Sequence, residues 1–143
     1  MGIMKFRKLT LENYKSFQFP TTILFPDSSE GKCIFLIGGM NGAGKTSVME
    51  AVNICLYGAR PDFIFRNINR KEFAKGNAFV SFELTLETDE MEEIQVKRSW
   101  TAGTVDSPKV KDLEEKLVVI KDGKRVSVQN KEMWQDYINA TIP

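Results

Sequence analysis

The sequence predicts an α/β fold in which a strand–turn–helix unit sits on a mixed sheet and an antiparallel, β-rich lobe is appended to it. Three observations carry this expectation. Cys33 to Ile37 is a short continuous apolar run, the pattern of a strand buried on both faces, and a glycine-rich turn and a helical pattern follow it directly. Val80, Phe82, Leu84 and Leu86 alternate with Ser81, Glu83, Thr85 and Glu87, the period of a half-buried strand. Asp122-Gly123 stands between two apolar runs, a hairpin turn signal.

The elements follow in order. Met4 to Leu11 reads as a first strand, with Phe6, Leu9 and Leu11 set among Lys5, Arg7 and Lys8. Asn13 to Phe17 is a short connector and Thr22 to Phe25 a second strand. Pro26 to Lys32 has the composition of a turn. After the buried strand and the glycine-rich segment, a helix is expected from about Lys45 to Tyr57. Val48, Ala51, Val52, Cys55 and Leu56 form its apolar stripe, Met49 and Ile54 widen it, and Gly58 ends it. Arg60 to Gly76 is a polar, basic stretch read as a loop. Ile94, Val96, Arg98 and Trp100 continue as a strand that forms a hairpin with the Val80–Leu86 strand. Thr101 to Asp112 is a loop, Leu117 to Ile120 and Arg125 to Val128 flank the Asp122-Gly123 turn, and Asn130 to Asn139 has helical spacing in Met133, Trp134, Tyr137 and Ile138.

Composition narrows the function classes. The 143 residues are 42% hydrophobic and 27% charged, the mix of a folded globular chain, and ten Phe supply material for a core. The net charge of +1 gives no global footprint of a nucleic-acid binder, so such a surface would be a local patch. Two cysteines, Cys33 and Cys55, have no zinc-site spacing and the chain has no histidine, which argues against a zinc centre. No leader pattern and no membrane-length apolar run are present, so a cytoplasmic location is expected.

The chemistry is concentrated in Gly39-Met40-Asn41-Gly42-Ala43-Gly44-Lys45-Thr46, which fits G-x-x-x-x-G-K-[ST], the Walker A motif or P-loop. Glycines let the backbone wrap close to phosphates and aim consecutive N–H groups at them. Lys45 places an ammonium between the β- and γ-phosphates of ATP, and the Thr46 hydroxyl ligates Mg²⁺. The positive end of the helix that begins there points at the same anions. A GTPase reading is weak, because Asn130-Lys131-Glu132-Met133 lacks the closing Asp of the base-reading motif. A small kinase would need an arginine-rich lid that the sequence does not show.

Around this loop, Asn13-Tyr14-Lys15-Ser16-Phe17 follows the first strand and Leu56-Tyr57-Gly58 closes the helix. This order resembles the N-terminal half of the SMC/SbcC/RecF-type ATPases, the ABC-like enzymes of chromosome maintenance and DNA repair. Within them the run Phe35-Leu36-Ile37-Gly38-Gly39-Met40-Asn41-Gly42-Ala43-Gly44-Lys45-Thr46-Ser47, with the closing Tyr137-Ile138-Asn139 and Ile142-Pro143, is most similar to DndD, the ATPase group of bacterial DNA phosphorothioation. The resemblance implies a P-loop NTPase half-domain: residues 1–143 as the first part of a split head, with the P-loop strand and helix at 33–58, a β-rich lobe at about 77–128 and a closing helix at about 130–140. It further implies that Lys15 and Ser16 lie beside the adenine or ribose and that Gly39, Asn41, Gly42, Ala43, Gly44, Lys45, Thr46 and Ser47 hold the phosphates and Mg²⁺. The plainer alternatives are core packing for Tyr14 and Phe17 and a solvated turn for Lys15.

Hydrolysis needs more than these residues. A Walker B segment is four apolar residues followed by Asp and Glu, and the one candidate, Leu117 to Ile120, is followed by Lys121. No LSGGQ-like signature is present, and no switch histidine is possible. The expected partners are therefore a C-terminal half that completes the head, a second head that closes over the ATP, and DNA through the full assembly, with no membrane. Arg60, Arg66, Arg70 and Lys71, among Phe63, Phe65 and Phe73, are candidate contacts to DNA or nucleotide; the alternative is a solvated loop pinned by its aromatics. Three further readings stay open: an ABC transporter nucleotide-binding subunit, a non-catalytic ATP-sensing module, and a kinase active as an isolated chain.

Overall fold

The computed structural model describes residues 5–25, 42–87, 91–125 and 136. The expected strand Cys33–Ile37 and, apart from Asp136, the expected helix Asn130–Asn139 lie outside these residues, as do Gly39, Met40 and Asn41 of the motif. Among the described residues, β1 (Lys5–Glu12), β2 (Thr21–Leu24), β3 (Phe79–Glu87), β4 (Glu93–Thr101), β5 (Glu114–Lys121) and β6 (Lys124–Arg125) form one sheet. The strand order is β2-β1-β3-β4-β5-β6, and every pairing is antiparallel. The antiparallel hairpins expected from the sequence are present, and β1, which pairs with β3 from Lys5↔Glu87 to Glu12↔Ser81, joins the opening hairpin to them.

The period-two alternation decides which face is covered. Leu9, Leu11, Val80, Phe82, Leu84, Leu86, Ile94, Val96, Trp100 and Val119 are buried on one face. Each such side chain contributes about 1.5–3 kcal/mol on burial, so this face sets the register. The opposite face carries Lys8, Thr10, Ser81, Glu83, Lys97, Ser99 and Lys116, all at least partly open to solvent. The Asp122-Gly123 turn forms as the sequence predicts: both residues have positive φ, 49° and 79°, the geometry of the turn type that matches strand twist. The Asp122 carboxylate accepts the Glu93 amide at 2.9 Å, so this aspartate is spent on the turn.

Helix α1 (Gly42–Tyr57) packs across β3 and β4. Its Val48, Ala51, Val52, Cys55 and Leu56 are buried, as the spacing requires, and so is Ile54. Met49 is 49% exposed, so the outward side of the helix is uncovered among the described residues. Gly58 has φ of 81° and donates its N–H to the Ile54 carbonyl, ending the helix in the left-handed conformation that glycine adopts without strain. The basic stretch is not a loop throughout: it forms two short helices, α2 (Pro61–Arg66) and α3 (Arg70–Ala74). Pro61 opens α2, and the Asn69 side chain caps α3 by accepting the amides of Lys71 and Glu72. No helix among the described residues is long and apolar enough to cross a membrane.

Candidate nucleotide-binding site

Helix α1 opens at Gly42, three residues before the expected start, inside the glycine-rich motif. Gly42, Ala43, Gly44, Lys45, Thr46 and Ser47 therefore make up its first turns. The first amides of a helix have no intrahelical acceptor, and the helix dipole adds positive potential there. No acidic residue stands in the first turn to compete with an incoming anion. The opening of α1 thus fits a polyphosphate, with Lys45 and Thr46 as the motif residues that would hold it and its Mg²⁺.

The other end of α1 is held from the sheet. Arg98 of β4 occupies an inward position opposite Phe82 and Leu117 and is only 2% exposed. Its Nε donates to the Cys55 carbonyl at 3.0 Å and its Nη2 to the Leu56 carbonyl at 3.2 Å, while Nη1 pairs with Glu115. A cation at the negative end of a helix is favourable, and here it also satisfies carbonyls that the helix itself cannot. Burial of a guanidinium is tolerable only with such partners. Cys55, in the same layer, donates its Sγ–H to the Val96 carbonyl at 3.2 Å, and burial pushes its thiol up to about 12.

The connector Asn13–Phe17 lies against both α1 and the α2–α3 segment. Tyr14 is fully buried, packs edge-on against Phe82 and donates its hydroxyl to Glu50 of α1 at 2.7 Å. Phe17 packs on the core from a half-buried position. Lys15 sends its Nζ to the same Glu50 oxygen at 2.6 Å. Its backbone has φ of 51°, held by its N–H donating to Asn67 and its carbonyl accepting from the Asn69 side chain. Ser16 is exposed. Burial raises the Glu50 carboxyl, yet the hydrogen bonds from Lys15 and Tyr14 outweigh it and hold the group below the usual carboxylate range. Burial, then the Glu50 hydrogen bond and charge, push the Tyr14 hydroxyl well above its ordinary value.

The four basic candidates fare differently. Arg60 pairs with Asp62 at 3.2 Å and Arg66 reaches the same carboxylate at 3.9 Å, both from exposed positions. Arg70 stacks over Phe73 and donates to the carbonyls of Phe65, Arg66 and Ile68, so its guanidinium ties α2 to α3. Lys71 is exposed. The aromatics do pin the segment: Phe65 and Phe73 meet edge-to-face at 5.4 Å. Glu72 of α3 accepts from Gln18, Asn77 and Lys75, which hold its carboxyl below its usual range. Among the described residues no three His, Cys, Asp or Glu side chains gather as a metal site. Sequence reasoning gave Glu50 and Asn69 no role and read Arg98 only as a strand residue. The spacing of Glu50 four residues beyond Thr46 and the placement of Asn69 just before a helical run were the available signals.

Comparison with known proteins adds the family. A family profile described as an AAA domain matches residues 8–141. The chain belongs to the AAA-domain family. The AAA domain is a P-loop NTPase fold and accounts for the α/β architecture. No curated protein matches the chain. Among solved structures, one described as "Structure of the recombination mediator protein RecF-ATP in RecFOR pathway" is similar at a TM-score of 0.48 and 12% identity. That similarity covers 88% of this AAA-domain chain and 29% of the RecF chain.

Proposed function

We propose that this chain is the ATP- and Mg²⁺-binding N-terminal half of an SMC-like ATPase head that acts on DNA, in modification, restriction or double-strand-break repair. The observation that supports it most is the opening of α1 inside the Gly39–Thr46 motif, with no acidic residue in the first turn. Lys45 and the amides from Gly42 onward would bind the β- and γ-phosphates, with Gly39 and Asn41 completing the loop, and Thr46 would ligate Mg²⁺. Bound Mg²⁺ supplies neutralisation of the charge on those phosphates. Lys15, which pairs with Glu50 of this helix, and Ser16 beside it in the sequence are the candidate base or ribose contacts. The DndD-type assignment rests on the run Phe35–Ser47.

The 143 residues hold no Walker B pair, so hydrolysis in this reading requires a C-terminal half and closure by a second head. DNA would be met by the complete assembly, with Arg60, Arg66, Arg70 and Lys71 as candidate contacts, in the cytoplasm and away from membranes. The test is a titration of fluorescent ATP into the chain with and without Mg²⁺, with Lys45→Ala in parallel. Saturable, Mg²⁺-dependent binding that the variant loses is expected, and turnover should appear when the C-terminal half is added. Binding that Lys45→Ala leaves intact would sink the phosphate-site assignment. Turnover by the isolated chain would sink the split head.

A further inference from the structure

We propose that the open face of the sheet carries a second anion site, a seat for the phosphodiester backbone of duplex DNA, built from Lys97 and Lys116 around the hydroxyls of Ser81 and Ser99. The inference rests on the DNA-acting reading above and uses none of the ATP-site residues, since α1 covers the other face of the sheet. The seat follows from the register. Ser81 of β3 lies directly opposite Ser99 of β4, and Ser99 lies directly opposite Lys116 of β5. Lys97 is two residues along β4 from Ser99, so both lysines rise beside the two serines from the same face. Small side chains between long ones leave a depression. One of about 220 Å³ is present, lined by these four residues with Arg98 and Val118.

Charge selects the ligand. Lys97 and Lys116 occupy diagonal positions on neighbouring strands, where two ammoniums repel each other and an anion between them relieves the repulsion. Both are exposed. Lys97 meets Glu83 at 4.0 Å, a long pair open to water that neutralises it weakly. Lys116 has no ion-pair partner among the described residues. Glu12 and Glu83 stand on the β1 and β3 side of the serines, so the positive potential lies over β4 and β5. Glu114, at the start of β5, is exposed and pairs with neither lysine. Phosphate oxygens accept from ammonium and hydroxyl donors alike, and the depression offers two of each. Its lining holds no aromatic ring on which a base would stack. The ligand it fits is therefore the backbone of a duplex lying across the exposed strands, held without reading its sequence.

The test is fluorescence anisotropy of a labelled duplex oligonucleotide titrated with the full chain over a series of salt concentrations. The variants are Lys97→Gln/Lys116→Gln, Ser81→Val/Ser99→Val and Glu83→Gln, with Arg66→Glu/Lys71→Glu for comparison. Loss of both lysines should weaken binding about tenfold and flatten the slope of log affinity against log salt by about two. Ser81→Val/Ser99→Val keeps every charge, suits a strand and fills the depression, and should weaken binding about fivefold. Glu83→Gln frees Lys97 from its carboxylate and should tighten binding, a gain that unfolding does not imitate. Unchanged affinity and slope in Lys97→Gln/Lys116→Gln overturns the proposal. So does Ser81→Val/Ser99→Val that binds like wild type, since the lysines then act as loose surface charge. Displacement of the duplex by inorganic phosphate at constant ionic strength makes this a small-anion site and overturns it too. Should a lysine or serine variant fail to fold, Glu83→Gln decides alone, because affinity no tighter than wild type contradicts the seat. Wild type that binds no duplex at low salt removes this inference, and the ATP site is then judged by its own titration. Wild type that binds, with loss only in Arg66→Glu/Lys71→Glu, keeps the DNA reading and removes this inference alone.

Discussion

Replacing Arg98 by methionine removes the cation at the far end of α1 while keeping an unbranched apolar stem in the core. In the native chain the guanidinium donates to the Cys55 and Leu56 carbonyls and pairs with Glu115, from a position only 2% exposed. Hydrogen bonds to a charged group contribute about 1.5–3 kcal/mol each, and removing one partner of a buried ion pair costs about 3–5 kcal/mol. The retained stem offsets part of this, so Arg98→Met is expected to lose about 3 kcal/mol, a fall of roughly 6–12 °C in Tm for a chain of this length. Adding Glu115→Gln to Arg98→Met should recover about 1 kcal/mol, because the partner carboxylate no longer lies half-covered without its cation. Urea unfolding followed by tryptophan fluorescence reads both variants, with Trp100 buried beside Phe82 as an internal reporter. A loss below about 1 kcal/mol for Arg98→Met, or no recovery in the double variant, would refute the view that this pair anchors the helix.

Two more outcomes are expected. The Cys55 thiol has its folded value raised from 9.0 to about 12, chiefly by burial, so the folded state keeps a proton that the unfolded state releases between those values. Stability should be fully supported by this group below pH 9.0, decline as pH rises toward about 12, and decline less steeply in Cys55→Ala, as measured by urea midpoints across that window. For the proposed DNA contacts, Arg66→Glu with Lys71→Glu alters two exposed side chains and leaves the helix-tying Arg70 intact. Duplex binding should weaken about tenfold, and the slope of log affinity against log salt should flatten by about two; an unchanged slope assigns both residues to solvent.

Much of this architecture could be read from residue patterns. The alternation at Val80–Leu86 and Ile94–Trp100 identified the β3–β4 hairpin and its inward face, because burial on one side of a sheet forces a period of two. The Asp122-Gly123 pair identified the β5–β6 turn, because few other residues tolerate two successive positive φ values. The same alternation placed Arg98 inward but could not name its partners, which lie more than 40 residues earlier on another element. Helices α2 and α3 were missed because neither is long enough to show a helical period. In the site, the motif marked the opening of α1. Glu50 stayed hidden, since a carboxylate on a helix face is ordinarily solvated, and only the fold brings Tyr14 and Lys15 to it.

The seam between the connector and the α2–α3 segment has a mechanical consequence. Lys15 N–H to Asn67, Asn69 N–H to Asn13, the Asn69 side chain to Lys15 and the Gln18 side chain to Glu72 bind the two stretches side by side. Because Tyr14 and Lys15 also bond to Glu50, these stretches are tied to α1 through one carboxylate. A load applied at Asn67–Glu72 would therefore reach α1 at Glu50, about two turns inside its opening at Gly42, rather than be dissipated in a slack loop.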